Sequence, residues 1–323
     1  MEALAELERN LSRVIVGKPE VVRLALVPLL CRGHLLIEDV PGVGKTTLAR
    51  ALARSIHGDF RRIQFTPDLL PLDLTGSSIY NQQANAFEFQ AGPVFTNVLL
   101  ADEVNRATPR TQSALLECME ERQVTVDGVT RPLPAVFCVI ATQNPVEQVG
   151  TFELPETQLD RFLLRIQMGY PSEADEVAIF DRQREGHPLT KLGPVVEPAQ
   201  VEELRAAASA IHLEEAVKEY AVRLVRATRE HAEVALGASP RGTLALLRAS
   251  QAWALLEGER FVAPDHVKAL APRVLGHRVI VKPQAALRGI AGEDVVDELL
   301  GRIEVPVSDG APASGKRIGK PVS

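Results

Sequence analysis

The stretch His34-Leu-Leu-Ile-Glu-Asp-Val-Pro-Gly-Val-Gly-Lys-Thr-Thr47, HLLIEDVPGVGKTT, decides how the chain folds. Its apolar start reads as a buried strand, its glycine-rich centre as a tight turn, and Lys45 onward as the beginning of a helix. That order makes a phosphate cradle. Backbone N–H groups of the turn and of the helix N-terminus converge on one point, where the helix dipole also favours negative charge. Pro41, Gly42, Val43, Gly44 and Thr47 form the predicted cradle, with Lys45 reaching the β- and γ-phosphates and Thr46 placing its hydroxyl on Mg²⁺. The usual pattern, G-x-x-x-x-G-K-[ST], would start with glycine where this chain has Asp39.

At 323 residues the chain is long enough for two domains with separate cores. Hydrophobic residues make up 46% and charged ones 24%, an ordinary globular balance, and no apolar run has the length needed to span a bilayer. The N-terminus is an acidic amphipathic pattern without a basic n-region, so a cytoplasmic protein is expected. Cys31, Cys118 and Cys138 lie far apart in apolar surroundings and read as buried reduced thiols. A net charge of −6 and only 4% aromatic residues argue against nucleic acid as a partner, because phosphate affinity needs a concentrated basic face and single strands need stacking platforms.

Around the cradle, residues 2–32 read as two helices joined at Val16-Gly17-Lys18-Pro19, and RRIQF at 61–65 as a second strand. Strands alternating with helices imply an α/β fold with a parallel sheet covered on both faces. Two hairpins interrupt it, one at 78–90 around NQQAN and one at 123–134 around Asp127-Gly128. Between them an apolar strand, Val98 to Ala101, ends in Asp102-Glu103. Acids at the carboxyl end of a buried strand next to a P-loop suit Mg²⁺ binding by Asp102 and polarisation of water by Glu103. The helix 109–121 carries Ala114, Leu115, Cys118 and Met119 as a core stripe. A further strand, 135–141, leads to Asn144, placed to orient a water or touch a γ-phosphate. Near the last strand, 162–168, Arg161 is the candidate to reach a neighbouring protomer's phosphate, with Arg165 competing for the role. After Pro171 the pattern turns helical, at 174–185, 198–210, 213–231, 241–257 and 264–274, with HPLTKLGPVVEP (187–198) as a linker. The expected division is a core at 1–186, an all-helical domain at 187–304 and a disordered tail at 305–323. In the second domain, Ser239 and Pro240 open a helix whose first turn presents Arg241.

DVPGVGKT, LLADEVNRA, ATQNP, LPETQLDRF and GASPRG stand in the order of Walker A, Walker B, sensor 1, arginine finger and sensor 2 of an AAA+ ATPase. Their wording resembles the MoxR family over about residues 2–300, with Asp39 fitting that family better than the generic P-loop. The resemblance implies a P-loop αβα core with hairpin insertions and a smaller helical lid. It implies ATP and Mg²⁺ as cofactors, held by Lys45, Thr46 and Asp102, with Glu103 on the catalytic water. Asn144 becomes sensor 1, Arg161 the finger and Arg241 sensor 2, while Val16 and Gly17 match the segment that touches adenine. Such proteins assemble as homo-oligomeric rings, usually hexamers, and act as chaperone-like remodellers. Their clients are frequently von Willebrand factor A domain proteins, and some members help insert metals or cofactors. Two readings compete with a remodelling ATPase: a nucleotide-gated scaffold with incidental turnover, and a magnesium-chelatase-like ATPase subunit.

Overall fold

The computed structural model describes residues 2–144, 151–184 and 186–306. From residue 307 the expected disordered tail lies outside the described residues. Helices α1 (Glu2–Ser12) and α2 (Pro19–Leu30) lead into β1 (Leu35–Glu38), the cradle and α3 (Lys45–Ser55). Strand β2 (Phe60–Gln64), a short α4 (Pro71–Thr75) and the hairpin β3 (Gly76–Asn81) and β4 (Ala86–Ala91) follow. Next come β5 (Val98–Asp102), α5 (Pro109–Glu121), the hairpin β6 (Gln123–Val126) and β7 (Val129–Pro132), and β8 (Cys138–Gln143). The core closes with α6 (Glu156–Leu159), β9 (Leu164–Ile166) and α7 (Glu173–Arg184).

Five strands form one parallel sheet in the order β2-β5-β8-β1-β9. Alternate residues of a strand point to opposite faces, and here each face meets its own core. Leu35 and Ile37 face α1, α2 and α3, whereas Leu36 faces the layer built from α5 and the hairpin bases. Burial on both faces is why β5 and β8 read as continuous apolar runs instead of alternating ones. The second hairpin turns at Asp127 and Gly128, both with positive φ (55° and 75°), the geometry of a type I′ turn. In the first hairpin, Asn81 Oδ1 accepts the N–H groups of Gln83 and Ala84 at 2.9 and 3.1 Å and so closes the turn.

Helices α8 (Pro198–Ser209), α9 (Glu215–Glu230), α10 (Pro240–Leu256), α11 (Pro264–Leu275), α12 (Pro283–Leu287) and α13 (Gly292–Arg302) make the lid. It is not purely helical, since β10 (Val234–Leu236) pairs antiparallel with β11 (Ile280–Val281), two segments too short to show a strand period in the sequence. The proline-rich stretch expected as a linker is packed. Leu189, Leu192 and Val196 are buried there, and the N–H groups of Val195 and Val196 both donate to Ser55 O of α3 at 3.0 Å. Two buried side chains join lid to core. Arg205 of α8 donates to Leu29 O at 2.7 Å and Ala135 O at 3.0 Å, and Arg278 spans from the end of α11 to the segment before β9.

His34, at the entry to β1, accepts the Val139 N–H on Nδ1 at 3.0 Å and donates from Nε2 to Met119 O at 3.1 Å. Both bonds use the neutral ring, and burial holds its pKa down at about 3 against an ordinary 6.5. The folded state therefore loses stability as pH falls through the unfolded value near 6.5 toward the folded value, by up to about 1.4 kcal/mol per pH unit. His277, also buried and lowered well below 6.5, adds in the same direction. We expect the urea midpoint to fall between pH 7 and pH 5, and His34→Gln to flatten that dependence. Of the thiols, Cys118 and Cys138 are buried, and desolvation raises them to about 12 and about 11; Cys31 is half-buried.

Candidate nucleotide site at the carboxyl edge of the sheet

Parallel strands end together, so the carboxyl edge of the sheet gathers the loops that leave them. The turn after β1 puts Gly42 and Gly44 at φ 88° and 100°, conformations that favour glycine. Gly44 caps α3, and no side-chain hydrogen bond fills that cap, leaving the first-turn N–H groups open toward the cradle. Lys45 Nζ donates to Asp39 O at 2.8 Å, folded back across the loop.

Asp39, at the position where the general pattern has glycine, has a structural task. Its carboxylate accepts from Val40 N at 2.8 Å and reaches across to Met168 N and Gly169 N at 2.7 and 2.6 Å. It thereby ties the start of the cradle to the chain leaving β9. Lys18 holds the same segment from the other side, with Nζ donating to the carbonyls of Met168, Gly169 (3.0 Å) and Tyr170 (2.9 Å).

Beside the cradle lies a cavity of about 180 Å³ lined by Val14, Ile15, Val16 and Lys18, by Gly42, Val43, Gly44 and Thr47, and by Met168 and Ile179. Its walls are apolar toward α1 and polar toward the cradle, as a flat base attached to a phosphate chain would require. Gly17 sits behind it at φ 72°, and a Cβ there would come within 2.1 Å of the Asp175 carboxylate.

Asp102 and Glu103 stand at the end of β5 on the same carboxyl edge, outside the lining of that cavity. Asp102 accepts from Thr142 Oγ1 at 2.6 Å and from Arg62 at 2.6 and 3.1 Å. Glu103 accepts from Gln64 Nε2 at 2.7 Å and Arg106 at 2.9 Å. Its backbone is left-handed (φ 56°), a conformation costing about 1–3 kcal/mol for a non-glycine residue and concentrated at functional sites. Thr142 also accepts the Glu103 N–H at 2.9 Å, so one hydroxyl on β8 sets both acids. Asn144 is buried just beyond β8, where Gln143 pairs with Glu38 and accepts from Asp39 N. Among the described residues no group of three His, Cys, Asp or Glu could hold a metal by itself. Mg²⁺ at Thr46 and Asp102 would take its remaining ligands from phosphate and water and would displace Arg62.

The other two expected residues stand elsewhere. Arg161 and Arg241 lie at the amino edge of the sheet, where Arg161 pairs with Glu120 at 3.1 Å and Arg241 meets the same carboxylate. They share a cleft of about 300 Å³ with Arg32, Arg122, Arg248 and Arg278. Arg241 is thus not beside the Lys45 cradle of its own chain; at least the length of β1, about 13 Å, lies between. Arg165 pairs with Glu38 at 3.1 Å and Glu293 at 3.3 Å and is 21% exposed, against 30% for Arg161.

Residues 34–164 match the model of the ATPase family associated with various cellular activities (AAA), and residues 226–299 that of the AAA lid domain. Chaperone MoxR1 of Mycobacterium tuberculosis is 41% identical, over 96% of this chain and 84% of its own length. The chain belongs to the MoxR family of AAA+ ATPases. The uncharacterized protein YeaC of Bacillus subtilis is similar at 49% identity, over 95% of this chain and 96% of that one. A crystal structure from Cytophaga hutchinsonii superposes with a TM-score of 0.89 at 38% identity, over 95% of this chain and 96% of that one. Matches of that extent favour the MoxR branch over the chelatase-like one weighed from the sequence.

Sequence reasoning did not single out Arg62, Gln64, Glu120 or Thr142. Gln64 and Arg62 precede the hairpin on β2, and only the β2-β5 register puts them beside Asp102 and Glu103. No local pattern marks them.

Proposed function

We propose that this protein is an Mg²⁺-dependent ATPase that works as a homo-oligomeric ring, a hexamer by family resemblance, and remodels a protein client in the cytoplasm. What supports this reading is that the residues expected of one active site stand at two edges of the sheet. Lys45, Thr46, Asp102 and Glu103 stand at the carboxyl edge, whereas Arg161 and Arg241 stand at the amino edge of the same sheet. Two arginines that share one carboxylate, Glu120, at the far edge suit the phosphate of another copy in its place. Lys45 would leave Asp39 O for the β- and γ-phosphates, and Asn144 would help place the water that Glu103 polarises. When bound, Mg²⁺ neutralises the developing charge on the phosphates.

The hairpins fit a client better than a nucleic acid. Tyr80 and Phe87 make an edge-to-face pair, with Phe87 74% exposed. Arg131 of the second hairpin stacks on Phe89 of the first at 3.9 Å, so the two would move together. The nearby cations are engaged, Arg106 on Glu103 and Arg122 on Arg32 O. A von Willebrand factor A domain protein is the client class that the resemblance suggests, and assistance in metal or cofactor insertion is one task such a pair could serve.

The test is the steady-state ATPase rate against protein concentration, for wild type and Lys45→Ala. Specific activity should climb with concentration, and Lys45→Ala should lose nucleotide binding. A low specific activity flat with concentration and indifferent to any client would favour the nucleotide-gated scaffold.

A further inference from the structure

The cavity beside the cradle takes part of its lining from the turn between α1 and α2 and part from α7. Helix α7 contributes Ile179, Arg182 and Gln183, at spacing 0, 3 and 4, which is one face of a helix. Arg182 fixes that face, because its Nη1 donates to Arg13 O at 2.8 Å, just past the end of α1. The helix buries none of its residues, so this bond and the close fit of Asp175 against Gly17 help to anchor it at the cavity.

A purine base presents donors and acceptors side by side along its edges, and the polar side chains of the lining differ in what they can return. Lys18 has only donors, and its ammonium already serves the carbonyls of Met168, Gly169 and Tyr170. Arg182 has only donors too. His187 accepts the Leu189 N–H on Nδ1 at 3.3 Å, which leaves its other nitrogen as a donor. Thr47 carries a single hydroxyl, on the first turn of α3 at the cradle. Gln183 is thus the lining side chain with a donor beside an acceptor, and its carboxamide makes no hydrogen bond among the described residues. At the α1–α2 turn, neither the N–H nor the C=O of Val16 has a partner among the described residues. One cavity is therefore bordered by a carboxamide and a peptide group, each with its donor and acceptor unfilled.

We propose that Gln183 reads the base of the bound nucleotide as adenine, Nε2 donating to N7 and Oε1 accepting from the N6 amino group, while the Val16 peptide group takes N1 and the other N6 hydrogen. This rests on the nucleotide reading above and gives it a specificity residue. A glutamine carboxamide matches the N6 and N7 edge of adenine in a bidentate pair. Guanine cannot take the same place, because its O6 and N7 are both acceptors and either orientation of the amide leaves the Gln183 oxygen facing one of them. The pair also adds a contact to a helix that buries nothing, so filling the base site fixes α7.

Titration calorimetry on the full chain with ADP, 7-deaza-ADP and GDP tests it, since none of the three is a substrate for hydrolysis at the γ-phosphate. Wild type should bind ADP about five- to tenfold more tightly than 7-deaza-ADP, which keeps the N6 amino group but has C–H at position 7, the range of one neutral hydrogen bond. GDP should bind more weakly still. Gln183→Ala should bind ADP and 7-deaza-ADP alike and lose part of its preference over GDP. Gln183→Glu should invert the first preference, because a carboxylate oxygen opposes the N7 lone pair but tolerates C–H there, an outcome that a merely structural role for Gln183 does not produce. Inorganic tripolyphosphate should bind the variants as it binds wild type, showing that the cradle is intact. A wild type that binds ADP and 7-deaza-ADP equally overturns the pairing without any variant, as does a preference unchanged in Gln183→Ala, and both leave the ATPase reading standing. ADP that fails to bind wild type, or that binds Lys45→Ala as tightly, overturns the nucleotide site and the base contact together.

Discussion

Arg161→Ala is expected to lower ATP turnover by about 10³ to 10⁵ while leaving nucleotide binding in place, the range that a removed arginine finger spans in phosphoryl-transfer enzymes. The reason is positional. Arg161 precedes β9 and the cradle lies past the other end of the same sheet, so its loss leaves the binding pocket of its own chain untouched. Glu103→Gln should give the same phenotype from the opposite side, ATP held without hydrolysis, because the amide keeps the Gln64 contact but cannot take up a proton. The two inactive proteins then become a diagnostic pair. In a mixed ring, an interface with Glu103 from one subunit and Arg161 from its neighbour is complete, and random mixing at equal amounts makes roughly a quarter of the interfaces active. Recovered turnover that depends on the mixing ratio is the expected result. A mixture as inactive as its components would remove Arg161 from the role given to it, and wild-type rates in Glu103→Gln would do the same for Glu103.

The resting arrangement of the acids bears on how such a cycle would be gated. Both oxygens of Asp102 are occupied, one by Thr142 and one by Arg62, and Glu103 is held by Gln64 and Arg106. A nucleotide with its metal would exchange Arg62 for Mg²⁺, and Glu103 would have to turn from Gln64 toward water. The strained backbone at Glu103 makes the turn local, since a residue already outside the common φ region is set by its neighbours and not by its own preference.

Local signals in the chain were legible where one short segment suffices. Asp127-Gly128 specifies its turn, and the bounds of α5 match the helical period with a proline at its start. The cradle and the acid pair were legible for the same reason. What escaped reading depends on which strands lie side by side, and the order β2-β5-β8-β1-β9 is not written in any one segment. Asp39 looked like a departure from the P-loop until β9 came beside it, 129 residues later, with Met168 N at 2.7 Å. Strand ends slipped for a related cause. The last long strand was expected at 135–141 but pairs from Cys138 to Gln143, because Ala135 to Phe137 serve as a lead-in whose first carbonyl accepts from Arg205 of the lid. The proline-rich stretch at 187–198 has the composition of a linker, yet its three buried apolar residues and the Ser55 carbonyl hold it against α3.

Arg278→Met is expected to be the most destabilising single change, about 3–5 kcal/mol, lowering Tm by on the order of 10 °C. Its side chain is only 3% exposed and spans the joint between lid and core. Nε donates to Asp160 Oδ1 at 2.7 Å, and Nη2 to Asp160 O and Phe162 O at 3.1 and 2.6 Å. Nη1 serves Leu163 O at 3.3 Å and also the Val274 carbonyl. Methionine fills much of the volume but leaves a partly buried carboxylate and several carbonyls without donors, and an unmet buried acceptor costs about 1–3 kcal/mol. Lysine restores the charge without the planar fork and should recover only part of the loss. Asp160 also accepts from Ser239 Oγ at 3.2 Å, at the cap of α10, so the same joint positions the residues next to it on both sides, Arg161 in the core and Arg241 in the lid. Well below their melting temperatures, Arg278→Met and Asp160→Asn should therefore both show a lower kcat with unchanged ATP affinity. The double variant should lose less stability than the sum of the two, because each single change already breaks the shared pair. A Tm for Arg278→Met within about 2 °C of wild type, or strictly additive losses, would mean that lid and core are held together by the apolar contacts of α2 with α8 and α10 instead of by this joint.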